Sequence, residues 1–275
     1  MIYKDLSFTD YTKMRGLNQS KLGLLKRCPQ KFKHCLSIER DDTDALRIGR
    51  AIHTAVFQPD LFNGEFLCLP DIDRRTTRGR EEYATIVCAN PDKTILKKDE
   101  FNRALEIAAA VRSDRHVFKL IDGAQCELSV QWTHKETDVL CKARLDCYNE
   151  ALGIVVDLKT TIDASPNGFS RKLYAYGYNR QAAWYLDSLI AHNEPAYHFV
   201  FIAVEKEPPY SLGLYRLSDE AIRLSRAENE ALLRKYMECE RIDVWPGYTD
   251  GVEDISIPNY GVTDMEENYG TEESL

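Results

Sequence analysis

Asp157-Leu158-Lys159 closes an apolar run that begins Ile154-Val155-Val156, and a second aspartate, Asp146, stands eleven positions upstream of the first. Side chains alternate along a strand, so Asp157 and Lys159 share one face, roughly 7 Å apart, while Leu158 turns toward a packed layer. Breaking a phosphodiester needs an activated water, neutralised charge at phosphorus and help for the leaving oxygen. Hard divalent cations supply much of this, and oxygen ligands hold them. Two aspartates at the ends of neighbouring strands could converge on one Mg²⁺, with Mn²⁺ as a substitute and the Leu158 carbonyl as a third ligand. Lys159 would orient and help deprotonate the water, or stabilise transition-state charge. A two-ion site would separate its ions by about 3.5–4 Å.

Those residues need a sheet beneath them and helices over it. Residues 125–134, 138–148 and 153–159 are rich in Val, Leu, Cys and Trp and break near Glu136 and at 149–153, which predicts three strands in meander order. Residues 168–192 return to helical spacing, with Tyr174, Tyr178, Gln181, Ala182 and Tyr185 three or four apart. Residues 197–204 and 210–217 read as a strand pair, and Ser218 caps a helix to Cys239. Upstream, residues 18–36 predict two helices, the second opened by Pro29, and 44–57 and 99–112 predict two more. Residues 70–80 read as a basic, mobile loop. The order predicts an α/β fold: a mixed central sheet flanked by helices, with an N-terminal helical part. One domain is expected over 1–248, mainly helical over 1–115 and with its core at 120–240.

The chain has 275 residues, enough for a sizeable core, and a formal charge of −8. Eight acids and no base lie in 249–275; without them, 36 acids face 36 bases. That acidic tail is expected to be disordered. No apolar run approaches the roughly 20 residues of a membrane span, and the start lacks a signal-peptide core, so residence in the cytoplasm is expected. Eight cysteines without a CxxC pair argue against a zinc ribbon or disulfide framework and for buried thiols.

Gly49-x-x-x-His53, Asp146, Asp157-x-Lys159 and Gln181-x-x-x-Tyr185 together resemble the ordered motifs of the RecB-like branch of the PD-(D/E)xK nucleases. The RecE-type exonucleases (exodeoxyribonuclease VIII) are the nearest in pattern, from about Ser20 to Trp245. Each motif is weak alone; four in the family's order are specific. The resemblance implies a restriction-endonuclease-like core, with Asp146 and Asp157 as core metal ligands, His53 as an extra ligand and Lys159 as the catalytic lysine. Gln181 and Tyr185 would touch the DNA backbone or support that lysine. Glu127 matches an acid often found at that point and is a further candidate metal ligand, with a less defined role. The eponymous proline is missing, since Leu145 and Val156 precede the aspartates. By the same resemblance the activity would be 5′-to-3′ digestion of one strand of linear duplex DNA. The 3′ overhang would pass to an annealing or recombinase protein, and the enzyme would be a homo-oligomeric ring.

Plainer readings stand beside these. Asp157 and Lys159 could be an ordinary ion pair, Asp146 could merely pair with Arg144, and Gln181 and Tyr185 could be packing. Tyr174, Tyr176 and Tyr178 could stack on unpaired bases, although packing is expected for at least two. Arg74, Arg75, Arg78, Arg171, Lys172 and Arg180 are candidates for holding phosphates, or a solvated face. A single-strand or structure-specific endonuclease, and a non-cleaving scaffold that binds DNA ends, remain alternatives.

Overall fold

Alternation over 125–161 does build the centre of the molecule. The computed structural model describes residues 1–36, 38, 43–259 and 263. In chain order the elements are β1 (Ile2–Tyr3), α1 (Phe8–Lys13), α2 (Gln19–Arg27), α3 (Pro29–Leu36), α4 (Asp44–Phe57) and α5 (Pro59–Glu65). Then come β2 (Phe66–Cys68), α6 (Thr77–Ala89), β3 (Thr94–Leu96), α7 (Lys98–Ser113) and α8 (Arg115–Ile121). The C-terminal half holds β4 (Gln125–Thr133), β5 (Leu140–Asn149), β6 (Ile154–Thr161), α9 (Pro166–Ala175), α10 (Tyr178–Ile190), β7 (His198–Glu205), β8 (Leu212–Arg216) and α11 (Asp219–Ile242).

Six strands form one sheet in the order β1-β4-β5-β6-β7-β8. The meander β4-β5-β6 is antiparallel, β6 runs parallel to β7, and β8 returns antiparallel, so the sheet is mixed as expected. Each face buries its own core. Val156, Leu158, Ile202 and Val204 pack against Ile52 and Val56 of α4 and Ala104, Ile107 and Val111 of α7. On the other face, Leu22 and Leu25 of α2 join Trp184 and Leu189 of α10 and Leu232 and Leu233 of α11 over Leu145, Val155 and Phe201. A fully buried side chain of this size contributes about 1.5–3 kcal/mol, so the two layers hold β6 from both sides.

Side-chain caps start many of the helices: Asn18, Thr43, Thr76, Asp114, Ser165 and Ser218 each accept from a backbone N–H of the first turn. Thr76 corrects one expectation. Residues 77–80 are helix rather than loop, because its hydroxyl accepts from Gly79 and the chain folds back on Asp73. A second correction is a break within 168–192, where Gly177 at φ 70° separates α9 from α10. The N-terminal part is also not purely helical: β1 adds an edge to the main sheet, and β2 and β3 form a small parallel sheet. Four cysteines are buried, Cys28, Cys141, Cys147 and Cys239, while Cys88 is exposed on α6. Among the described residues no helix is long and apolar enough to cross a membrane. Of the tail expected to be disordered, residues 260–262 and 264–275 lie outside the described residues, and 249–258 hold no helix or strand.

Candidate active site

The central strands part where the acids stand. β5 pairs with β6 only from Cys147 to Asn149, opposite Ile154–Val156, whereas β6 stays paired with β7 along its full length. The next opposed positions are Asp146 and Asp157, and there the ladder stops. The N–H of Leu158 donates to Asp146 Oδ2 at 3.0 Å, so a side chain takes the place of a strand carbonyl. The resulting fork presents both aspartates between two packed layers. Leu158 itself faces the core, as its alternation requires.

Asp157 is fully buried, and Lys159 Nζ lies 2.6 Å from its Oδ2. The ammonium is the ion-pair partner of Oδ2, and Oδ1 is buried without a hydrogen-bond partner. Burial, reinforced by Asp146, pushes Asp157 up to about 6 despite the lysine. Burial works against the Lys159 ammonium, but Asp157 and Asp146 outweigh it and raise its pKa. The lysine is therefore a protonated group at neutral pH. Lys159 compensates one side of this carboxylate, while Oδ1 stays buried with no hydrogen-bond donor, a costly state that a second cation would relieve.

Of the five candidate ligands, three come together. Ligand atoms of His53, Glu127 and Asp146 lie within 4.8 Å of one another, a spacing that fits one divalent ion, while Asp157 stays outside that group on its lysine. Glu127 sits opposite Asp146 between the pairs Cys126–Cys147 and Leu128–Leu145. Its φ of 54° lifts it out of the ladder, a strained conformation for a non-glycine residue of the sort that collects at functional sites. Arg144 holds it there, Nε to Oε2 at 2.7 Å, with further bonds to Leu6 O and Ser129 Oγ. Arg144 is thus bonded to Glu127, leaving Asp146 to the fork. His53 comes from α4 on the opposite layer, Nδ1 3.2 Å from Asp146 Oδ2. Burial would lower its pKa, but Asp146 and Glu127 hold it up at about 9. One turn earlier, a Cβ on Gly49 would meet nothing within 4 Å, so that side of the helix is open.

Helix α10 covers the other side. Gln181 Nε2 donates to Tyr185 Oη at 2.9 Å, and Tyr185 is pushed well above its usual pKa by burial and by Asp157 and Asp146. Tyr185 therefore lies within electrostatic reach of the two aspartates, with Gln181 bonded to it. Sequence reasoning missed Tyr178 as a site residue: Lys159 Nζ lies 4.7 Å from its ring centre. Its position one turn before Gln181 was the available signal. Arg144 was also missed, since only the cross-strand register shows its partner.

The candidate phosphate contacts scatter. Arg74, Arg75, Arg78 and Arg171 are exposed, with Arg74 over the ring of Tyr83. Lys172 Nζ donates to Thr161 Oγ1 at 2.6 Å. Arg180 is buried, 3.5 Å from Glu228, and works as a packing residue between α10 and α11. The tyrosine expectation is corrected: Tyr178 packs on the core, but Tyr174 and Tyr176 are exposed because the helix ends between them.

Residues 18–257 match the family described as a PDDEXK-like domain of unknown function (DUF3799). The chain belongs to that family. Its restriction-endonuclease-like fold explains why the acids gather at a fork in a mixed sheet. A candidate exonuclease from Eubacterium rectale has a similar solved structure, with a TM-score of 0.62 at 16% identity, over 97% of this chain and 99% of that one. At that identity the likeness speaks for the fold alone. A phage-related exonuclease from Haemophilus somnus 129PT covers 84% of this chain and 98% of its own at 12% identity, with a TM-score of 0.34 too low to carry an argument. Among curated proteins none matches this PDDEXK-like chain.

Proposed function

We propose that this PDDEXK-like protein is a Mg²⁺-dependent deoxyribonuclease of RecE type, hydrolysing one strand of linear duplex DNA from an end. Direction 5′ to 3′, 3′ overhangs handed to an annealing or recombinase protein, a ring-shaped homo-oligomer and a cytoplasmic setting complete the reading. The observation that carries it is the buried Asp157 carboxylate, ion-paired with Lys159, beside the His53–Glu127–Asp146 group.

Asp146, Glu127 and His53 would hold the ion, joined by Asp157 and the Leu158 carbonyl. A divalent cation bound there would supply Lewis acidity to the scissile phosphate and lower the pKa of a water. Mn²⁺ would substitute, since the set mixes carboxylates with an imidazole. His53 must shed its proton to act as a ligand. Lys159, kept protonated by its acidic neighbours, donates to a phosphate oxygen and stabilises the charge that builds on it. It is not the base. Gln181 and Tyr185 present hydrogen-bonding groups on the wall facing the two aspartates, where they orient the strand. Arg144 positions Glu127 without touching substrate.

Linear duplex labelled at a 5′ end or internally, with closed circles alongside, tests the reading in Mg²⁺ and in Mn²⁺. Release of 5′ label from linear DNA only, lost with EDTA and in Lys159→Ala, is the expected result. Cleavage of circles would replace it with an endonuclease. End binding without cleavage in either metal would leave a scaffold.

A further inference from the structure

A short aromatic ladder leads from the catalytic lysine to the surface. Lys159 Nζ lies over the Tyr178 ring, and Tyr176 stacks on that ring with centroids 5.6 Å apart and planes at 27°. Phe169 and Phe201 back Tyr178 at 6.3 and 6.2 Å, so the inner rung is fixed by the core. The outer rung is not buried: Tyr176 is 66% exposed.

The turn that carries Tyr176 is hydrogen-bonded from two elements. Gly177 at φ 70° ends α9 and begins α10, and a Cβ there would come 2.3 Å from Arg180 Nη2. Gln19 Nε2 and the N–H of Gln181 both donate to the Gly177 carbonyl, at 3.0 and 3.1 Å. A ring with one face on a core aromatic and much of its surface in solvent is suited to stacking. Nucleobases offer the matching surface, and such stacking tolerates any base. Arg171 is exposed on the preceding helix, and Lys26, ion-paired with Glu228 at 2.6 Å, sits 5.6 Å from the Tyr174 ring centre.

We propose that Tyr176 is a stacking platform for an unpaired base of the strand whose phosphodiester lies at Asp157 and Lys159. The preferred substrate is then a DNA end with at least one unpaired nucleotide, rather than a blunt duplex. This rests on the nuclease reading and adds a specificity-determining residue to it. Tyr176 lies outside the reacting groups; it sets which nucleotide enters.

The test uses hairpin DNA carrying 2-aminopurine in a 5′ or a 3′ overhang, or within a blunt stem, bound in Ca²⁺ so that cleavage does not intervene. The wild type should quench the overhang probe on one of the two end types. Tyr176→Ala should lose the quench and bind that overhang at least about five-fold more weakly, the low end for base–aromatic stacking. Tyr176→Phe should retain both, and Tyr174→Ala should match the wild type. Equal quench and affinity in Tyr176→Ala overturns the platform while leaving the nuclease reading intact. Equal losses on blunt and overhanging DNA overturn it too, and mark Tyr176 as a general contact. A wild type that neither binds nor cuts any of the hairpins removes both readings.

Discussion

Two strand lysines in this molecule have nearly the same local setting and opposite consequences. Lys142 on β5 and Lys159 on β6 each hold Nζ over a tyrosine ring, at 4.6 Å from Tyr11 and 4.7 Å from Tyr178. Lys142, only 3% exposed, spends its three donors on the carbonyls of Tyr11, Thr12 and Met14 at the end of α1. Burial among those neutral oxygens pulls its pKa down to about 8. Lys159 meets ionised carboxylates instead, and its pKa rises. Burying a cation does not make it functional. Lys142 is saturated and ties α1 to the sheet, whereas Lys159 is held by charge at the mouth of a fork.

The sharpest way to break this contrast is to remove each lysine. Lys159→Ala should lower single-turnover DNA cleavage on the order of 10³-fold, and also cost stability in the metal-free protein because buried Asp157 loses its counter-charge. Lys142→Ala should lose about 3 kcal/mol of stability because three carbonyls lose their donor, with cleavage per folded molecule retained. Calorimetry and rapid-quench assays read the two separately. Loss of cleavage in both, with both folded, would end the comparison.

Next in size are the groups that build the fork. Glu127→Gln should weaken Mn²⁺ binding in titration calorimetry by about 100-fold, and Arg144→Ala by about ten-fold, the usual range for a residue supporting a ligand. An unchanged affinity in Arg144→Ala would mean that the strained backbone alone positions Glu127.

Protons separate the regions as well. His53 is raised from 6.5 to about 9 in the folded, metal-free protein, so its stabilisation is full below pH 6.5 and lost as pH rises through 9. Lys142 is lowered from 10.5 to about 8, so the folded state binds fewer protons than the unfolded chain between those values, and this group's contribution grows as pH rises from 8. Urea unfolding in EDTA from pH 6 to 10 should show both slopes, each on the order of 1–3 kcal/mol. His53→Gln should remove the falling one and Lys142→Met the rising one. The smallest effect is expected at the exposed Arg171: Arg171→Ala should reduce the salt slope of DNA binding by about one.

Much of this was legible locally. Helical spacing placed a helix over 44–57, where α4 lies, and alternation put Asp157 and Lys159 on one face of β6. The capping serine at 218 marked the start of α11. The misses came where local pattern competes with distant partners. Residues 77–80 carry loop-like Arg and Gly, yet Thr76 and Asp73 turn them into the start of a helix. Gly177 broke a helix that the tyrosine spacing alone would continue, and this is why Tyr174 and Tyr176 face solvent. Glu127 read as an acid near a strand's start; its φ and its arginine appear only once β5 lies beside it.

The amino-acid order by itself determined the meander, the helices that follow it and the identity of the acids, because strand and helix periods are properties of neighbouring residues. Where those acids meet was decided in three dimensions. β5 and β6 separate after three pairs, since β4 and β7 hold them on opposite sides and Asp146 takes the Leu158 N–H for itself. His53 arrives from a helix of the opposite layer, brought to Asp146 by the packing of α4 against β6 and β7. Side-chain identity is written along the chain, but ligand geometry depends on hydrogen bonds and buried contacts between residues far apart in it.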